Sequence, residues 1–387
     1  MIIQAARRTE SVKEYYFSKK NREIAELNAD GRTEPIINLG IGSPDGRPPQ
    51  AAIDELCATA VRNGVHAYQS YTGIPELRKA FAGWYDRWYG VELDPAKEIQ
   101  PLTGSKEGIL ITSLAFLNKG DKVLVPDPGY PTYSSAARLC EAEIVYYDLV
   151  ESRGWQPDLE ALEASDLSGV KMMWTNYPNM PTGAPADPGL YEKLVDFGRR
   201  HGILICNDNP YSFILTENHY SILSVPGAKD CCLELNSLSK AHNMAGWRLG
   251  MVASSADVIY EILKVKSQLD SGIFRPLQLA AVEALAQGPE WFKELNAEYE
   301  RRRVAAGKLF DALGIKYNPA SQGLFLWGKV PEGVDPVALS DKLLHEAGVF
   351  ITPGFIFGHN GEKYMRVSLC ATVEKLGRAL EKIKAVI

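Results

Sequence analysis

The chain alternates short apolar runs with longer amphipathic stretches, and the alternation is clearest between residues 99 and 253. Runs such as KVLVPD, EIVYYDL, VKMMWT and ILIC are short and rich in β-branched or aromatic residues, so they predict buried strands. Between them, apolar residues recur at helical spacing and predict helices. Such strand–helix alternation predicts an α/β fold with a mainly parallel sheet flanked by helices.

The C-terminal third has a different pattern. From residue 315 onward, short strands read GLFLWGKV, VFITPG and YMRVSL, and amphipathic helices are predicted over 337–347 and 373–386. Strands and helices in this mixture are typical of a smaller α+β domain. We therefore predict an N-terminal arm that joins the small domain, a large domain and a small C-terminal domain, over residues 1–45, 46–285 and 286–387.

Composition narrows the class of protein. The 387 residues are 45% hydrophobic and 23% charged, with a net charge of −6, and no basic stripe suits nucleic acid or an anionic membrane. No apolar run approaches the roughly 18 residues of a membrane span, and the N-terminus lacks a signal-peptide core. Six cysteines without metal or disulfide spacing predict no metal site and a reducing, cytoplasmic location.

The most informative stretch, SLSKAHNMAGWRLG, covers residues 237–250 and follows the predicted strand CCLELN. A lysine at a strand end between small hydroxyl residues suits an amine that must react, although a loop lysine is an equal alternative for S-x-S-K alone. With GWRLG added, the stretch resembles the cofactor-lysine motif of class I and II aminotransferases, which are pyridoxal 5'-phosphate (PLP) enzymes of fold type I. The resemblance implies that Lys240 forms the Schiff base and that Arg248 binds the cofactor phosphate.

A second motif follows the predicted strand over 203–206. Asp208 comes at its carboxyl end, the edge where open α/β sheets bind ligands, and Tyr211 follows three residues later. Asp-Asn-Pro alone is typical of a turn. The D-x-x-Y spacing resembles the family's pair, which implies Asp208 at the pyridine nitrogen and Tyr211 at the phenolate oxygen. The same resemblance places Tyr130 of DPGYP on one face of the ring and Pro210 on the other.

Glycine-rich turns supply the remaining candidates. GSKEG opens a predicted helix whose first N–H groups can hold a phosphate, but it is not a Walker loop. GIGSPDG lacks dinucleotide spacing, and its proline stands where the phosphate-binding helix would begin. The resemblance assigns further cofactor contacts to Gly104, Ser105, Lys106, Ser237, Ser239 and, from the neighbouring subunit, Tyr68. It assigns substrate contacts to Gly42 and, through the R-x-S of YMRVSL, to Arg366 as the α-carboxylate ligand.

The turn NYPNMPTG departs from the family pattern, because Met180 stands where the family has asparagine before P-T-G. That asparagine donates to the cofactor's phenolate oxygen, and a thioether cannot donate. Either Asn176 or Asn179 takes over, or the site works with one donor fewer; Asn179 is our candidate for both cofactor and substrate contact. In the N-terminal aromatic cluster, Tyr15 is the candidate for the substrate side-chain pocket.

These motifs predict a PLP-dependent aminotransferase, with Lys240, Asp208 and Tyr211 as catalytic residues. It would exchange an amino group between an α-amino acid and a 2-oxo acid in a ping-pong cycle, as a homodimer with shared sites. A C–S or C–C lyase on the same fold shares all the cofactor residues and stays open as an alternative, as does a non-catalytic PLP-binding sensor. The motif sequences GSKEG, DPGYPTY and NMAGWRLG resemble most closely the branch of LL-diaminopimelate, alanine and aspartate aminotransferases. No arginine that would bind the second carboxylate of a dicarboxylic substrate is identifiable.

Overall fold

A computed structural model describes residues 3–30 and 34–387; Met1 and Ile2 of the expected arm, and residues 31–33, lie outside the described part. The helices are α1 Tyr16–Ala29, α2 Gln50–Ala60, α3 Pro75–Tyr89, α4 Ser105–Phe116, α5 Pro131–Leu139, α6 Leu159–Glu163, α7 Pro188–His201, α8 Leu238–Ala241, α9 Ala256–Lys266, α10 Arg275–Leu285, α11 Pro289–Ala312, α12 Pro336–Lys342 and α13 Val373–Lys384. The strands are β1 Ile37–Asn38, β2 Ile99–Leu102, β3 Lys122–Asp127, β4 Glu143–Asp148, β5 Val170–Thr175, β6 Leu204–Asp208, β7 Cys232–Ser237, β8 Gly250–Ala253, β9 Lys316–Tyr317, β10 Phe325–Lys329, β11 Val349–Phe350, β12 Thr352–Pro353 and β13 Tyr364–Ser368.

The larger sheet has seven strands in the order β2-β8-β7-β6-β5-β3-β4. Strands β3 to β7 run parallel, whereas β8 is antiparallel to both of its neighbours. The central strands are buried almost throughout, because helices cover both faces of a parallel sheet. The predicted α/β class and the mainly parallel seven-stranded sheet are confirmed.

A second, antiparallel sheet has the order β12-β13-β10-β9. Beside it β1 pairs with β11 in parallel, which joins Ile37 to Val349 and brings the N-terminal segment to the C-terminal third. Helix α11 has 24 residues, hence a length of about 36 Å, and packs against α13 and this sheet. The chain therefore places two sheets side by side, with α11 along the smaller one.

Two local predictions need correction. The helix expected over 337–347 ends at Lys342 and continues as a π-helical turn, Leu343–Ala347. Helix α9 was not predicted, although it buries Ile259 and Ile262 at helical spacing. This helical spacing was readable in the sequence, but the segment stands between a short strand and a polar loop and has no capping side chain.

Neither a membrane-spanning helix nor a metal-binding cluster is found in the described residues. Within residues 3–30 and 34–387, no helix has both the length and the hydrophobicity to cross a bilayer. The same residues contain no cluster of three or more histidine, cysteine or acidic side chains placed to hold a metal ion.

Candidate active site

The site is built at the carboxyl edge of two adjacent parallel strands. Asp208 is the last residue of β6, and Ser237 is the last residue of β7. Ser237 also caps α8, since its side chain accepts a hydrogen bond from the Ser239 backbone N–H at 3.1 Å. Lys240 lies on this single helical turn, so the sheet holds the lysine and the aspartate on one rigid frame.

A cavity of about 540 Å³ opens at this edge. Most of the side chains predicted from the sequence line it: Tyr15, Gly42, Ser105, Lys106, Tyr130, Asp208, Tyr211, Ser237, Ser239, Lys240, Arg248 and Arg366. Pro210 also lines the cavity, as expected from its place between Asp208 and Tyr211. The chain thus brings together residues from both sheets and from the N-terminal segment around one space.

Among the described residues, two lysines line this cavity. Lys106 is exposed at the wall, whereas Lys240 is more buried and feels the charges of Asp208 and Arg366. Its Nζ donates to the backbone carbonyl of Gly42 at 2.6 Å. Burial lowers the pKa of Lys240, and the positive charges of Arg248 and Arg366 lower it further. A larger fraction of this amine is therefore uncharged at neutral pH than for an exposed lysine.

Asp208 is 5% exposed, and one of its oxygens has a partner while the other has none. Tyr133 donates its phenolic hydroxyl to Asp208 Oδ2 at 3.0 Å, and Oδ1 is buried without a hydrogen bond. Burial raises the pKa of Asp208 to about 7, against the lowering effects of the Tyr133 hydrogen bond and the Lys240 charge. A buried carboxylate with one free oxygen suits a cationic N–H donor.

A candidate anion-binding site lies at the start of α4. Gly104 precedes the helix with φ +93°, and no side chain caps the helix, so its first N–H groups are free to bind an anion. Arg248 points at this glycine, where an added Cβ would overlap the guanidinium. The hydroxyls of Ser237 and Ser239, which bond to each other at 2.8 Å, complete the polar wall.

Arg366, on β13, is buried and has few hydrogen-bond acceptors. Its Nη2 donates to the Gly40 carbonyl at 2.6 Å, its Nη1 contacts the Met180 sulfur at 3.2 Å, and its Nε has no partner. The guanidinium carbon lies 3.9 Å from the centre of the Phe325 ring and 4.5 Å from that of Phe357. A guanidinium with spare donors in an apolar wall suits a carboxylate ligand.

The NYPNMPTG turn does not bring Asn179 into the cavity. Its carboxamide oxygen accepts from Thr182, and its nitrogen donates to the Asn176 carbonyl at 3.1 Å, so the turn uses both ends of the amide. Asn176 lines the cavity, but it donates to the Asp208 carbonyl at 2.6 Å and accepts from the Met180 N–H at 2.7 Å. The Met180 thioether and the Asn176 side chain therefore form the cavity wall at this point.

Two aromatic candidates lie in contrasting places. Tyr68 is 90% exposed and does not line the cavity of its own chain. Tyr15 lines the cavity, with Lys106 Nζ 4.6 Å from the centre of its ring, and burial raises its pKa. Tyr15 therefore belongs to the wall of the cavity, together with Tyr130.

Tyr133 was not predicted as a site residue. It is fully buried, stacks on Trp174 with ring centres 5.1 Å apart and donates a hydrogen bond to Asp208. Its only sequence signal was its place one helical turn after Tyr130, which is equally typical of a core residue. Phe325 and Phe357 were missed for the same reason, since nothing local distinguishes them from other core aromatics.

Comparisons with known proteins agree with this geometry. The family model described as aminotransferase class I and II matches residues 34–383. An LL-diaminopimelate aminotransferase of Moorella thermoacetica is 39% identical over 387 residues, covering 100% of this chain and 99% of its own. One of Nitratidesulfovibrio vulgaris Hildenborough is 39% identical, covering 98% of each chain.

Solved structures of other proteins superpose closely on this chain. Substrate-bound BacF of Bacillus subtilis superposes with a TM-score of 0.94 at 32% identity, covering 99% of this chain and 98% of its own. An aspartate aminotransferase mutant of Thermus thermophilus gives a TM-score of 0.91 at 27% identity, with both chains covered completely. The likeness therefore extends over the whole chain.

Proposed function

This chain belongs to the class I and II aminotransferases and is itself an aminotransferase, and from that premise we propose that PLP is its cofactor and Lys240 the residue that carries it. The observation that supports this most directly is the meeting of Lys240, Asp208, Arg366 and the uncapped start of α4 around one cavity. It would exchange an amino group between an α-amino acid and a 2-oxo acid in a ping-pong cycle.

The residues fit a phosphorylated pyridine. Bound PLP supplies an electron sink that makes the Cα–H bond of an amino acid breakable. The free Asp208 Oδ1 would hold a proton on the ring nitrogen, because a cation beside the carboxylate favours the charged pair. Arg248, the first N–H groups of α4 and the Ser237 and Ser239 hydroxyls would fix the phosphate. Tyr130 and Pro210 would limit the ring's movement from its two faces.

Lys240 would also act as general base and acid. Its lowered pKa leaves a fraction of the amine uncharged, and only the uncharged amine can form a covalent bond or accept a proton. Since Lys240 and Arg366 line one cavity, this amine would lie near the α-carbon of an amino acid whose carboxylate Arg366 binds. Burial raises the pKa of Tyr211, so its phenol stays protonated and can donate a hydrogen bond within the cavity.

Arg366 would bind the substrate α-carboxylate. Burial lowers its pKa to about 10, so it remains charged at neutral pH and needs an anionic partner. Because Met180 offers only a weak acceptor and no donor, it would not supply the hydrogen bond that an asparagine gives to the carboxylate and the cofactor oxygen. The site thus depends more on Arg366 and on Tyr211.

The substrate, the assembly and the compartment are further parts of the proposal. The relatives named LL-diaminopimelate aminotransferase make diaminopimelate the first amino acid to test. The exposed Tyr68 supports a homodimer in which this side chain reaches the partner's phosphate site. All six cysteines are free thiols, which supports a reducing, cytoplasmic location.

The test is an absorbance spectrum of the purified protein, before and after adding glutamate, aspartate, alanine or diaminopimelate one at a time. We expect a visible or near-ultraviolet band that one of these amino acids converts to the amine form of the cofactor. After borohydride reduction, the label should map to the peptide of Lys240. Lys106 lines the same cavity and is the matched control.

Other outcomes would change the proposal. A label on Lys106, or equal labelling of a Lys240→Ala variant, would refute the assignment of the lysine. Release of pyruvate and ammonia without the amine form would indicate a lyase. No band after adding PLP would refute cofactor binding.

A further inference from the structure

A buried arginine outside the cavity joins two segments that carry the cavity's polar contacts. Arg302 lies on α11 and is 6% exposed. Its Nη1 donates to Asp45 Oδ1 at 2.6 Å and to the Leu369 carbonyl at 3.3 Å, and its Nε donates to Glu298 Oε1 at 2.7 Å. None of these four residues lines the cavity.

Asp45 belongs to residues 40–47, which we call the strap. The strap starts beside β13, where the Ser368 N–H donates to the Leu39 carbonyl at 2.8 Å. Two of its carbonyls then receive the cavity's two main cations: Gly40 accepts from Arg366, and Gly42 accepts from Lys240, each at 2.6 Å. One stretch of backbone therefore sets the positions of both side chains.

The far end of the strap is anchored by side chains. Asn243 Nδ2 donates to the Arg47 carbonyl at 3.1 Å, and Asp45 forms the ion pair with Arg302. Arg302 also holds Leu369, three residues after Arg366. It thus fixes the strap and the end of β13 relative to each other, and between them lies the proposed carboxylate site.

We propose that Arg302 and Asp45 are positioning residues that set the affinity of the site for the substrate carboxylate. The inference rests on the proposed function, because it takes Arg366 as the carboxylate ligand. A strap released at Asp45 leaves the Gly40 and Gly42 carbonyls free to move, so part of the binding free energy goes into ordering them. Substrate affinity therefore falls, whereas the proton transfers at Lys240 change less.

The experiment compares Arg302→Gln with Asp45→Asn in the full chain loaded with PLP. The two changes alter the charge in opposite directions, so a long-range electrostatic effect would shift carboxylate affinity in opposite senses. Loss of positioning weakens affinity in both. Arg301→Gln is the matched control, since Arg301 is the preceding residue of α11, is 64% exposed and pairs with Glu298.

Affinity and rate are measured by stopped-flow conversion of the cofactor band, using whichever of glutamate, aspartate, alanine or diaminopimelate reacts fastest with the wild type. We expect the apparent dissociation constant to rise about three- to thirtyfold in both variants, the range typical of residues that act through a contact network. The maximal rate should change less than about threefold. Amide hydrogen exchange in residues 40–47 of the cofactor-free chain should accelerate in both variants and stay unchanged in Arg301→Gln.

Opposite shifts in the two variants, or an unchanged dissociation constant with only a lower melting temperature, would overturn the inference. Arg366→Gln separates it from the proposed function: if this variant binds as well as the wild type, the carboxylate assignment fails first. If Arg366→Gln weakens binding while Arg302→Gln and Asp45→Asn do not, the positioning role alone fails. Should Arg302→Gln not fold, Asp45→Asn decides, because the Asp45 side chain is 33% exposed.

Discussion

The raised pKa of Asp208 predicts a specific loss of stability with rising pH in the protein stripped of cofactor. The ordinary pKa of this carboxyl is 3.8, and burial raises it to about 7 in the folded chain. Between these values the folded chain keeps a proton that the unfolded chain has released. Each pH unit in this window therefore removes about 1.4 kcal/mol of stability, or about 4 kcal/mol in total. The stabilising contribution of Asp208 is fully present below pH 3.8, its ordinary pKa in the unfolded chain. It is lost as the pH rises to about 7, its pKa in the folded chain.

Asp208→Asn removes this titration while keeping the shape of the side chain. Urea unfolding of the cofactor-free wild type and variant, followed by tryptophan fluorescence at several pH values between 4 and 8, gives the free energy of unfolding of each. The variant should gain about 4 kcal/mol on the wild type across that range, because titrating groups that do not interact with Asp208 cancel in the difference. Asp86→Asn, which removes an exposed carboxylate on α3, is the control for the loss of one acidic side chain.

Parallel curves for the wild type and Asp208→Asn would refute the reasoning, since they would mean that Asp208 is already charged near pH 4 in the folded chain. A difference that grows as pH falls would refute its sign. Adding PLP to the wild type should flatten the pH dependence, because the proposed cationic ring nitrogen pairs with the carboxylate.

Three further changes have expected outcomes. Tyr133→Phe removes the hydroxyl that donates to the Asp208 carboxylate at 3.0 Å, so the pH range over which stability falls should extend upward by about one pH unit. An unchanged pH range in the urea titration would contradict this. Met180→Asn adds a donor near the cofactor's phenolate oxygen, so the pKa read from the visible band should fall, and identical spectrophotometric titrations would count against it. Gly358 has φ +137°, and in Gly358→Ala the added Cβ would meet the Asp127 carboxylate, so we expect the free energy of unfolding to fall by at least about 1–3 kcal/mol. Gly377→Ala is the control: its added Cβ meets nothing, so it should not destabilise the protein.

The sequence was most informative where chemistry and secondary structure coincide. Asp208 and Lys240 could be predicted because each lies at or just after the end of a recognisable buried strand, within a motif that resembles a known family, and adjacent parallel strands end at one edge. Arg366 could be predicted from its motif, but its neighbours could not. The Met180 sulfur that contacts it comes from a turn 186 residues earlier, and only the folded chain brings the two together.

Asn179 shows the opposite case. Its place beside Met180 in the motif made it a reasonable substitute for the missing asparagine, but the direction of an amide depends on its local hydrogen bonds. Thr182 and the Asn176 carbonyl take both ends of the Asn179 amide within the turn. A motif specifies which residues are present at a turn and leaves open which of them points outward.

The origin of the site from two sheets has a consequence for how such a chain can diversify. Asp208 ends a strand of the seven-stranded sheet and Lys240 lies on the helical turn that follows the next strand, whereas Arg366 comes from the antiparallel sheet, which has its own hydrogen-bond ladder. With the proposed roles of Arg366 and Lys240, substitutions in the smaller sheet would reshape what is recognised while Asp208 and Lys240 keep their own framework. A laboratory search for new substrate preferences should therefore concentrate its mutations on the antiparallel sheet, and the spectrum of the proposed cofactor should stay constant as a check on the other half of the site.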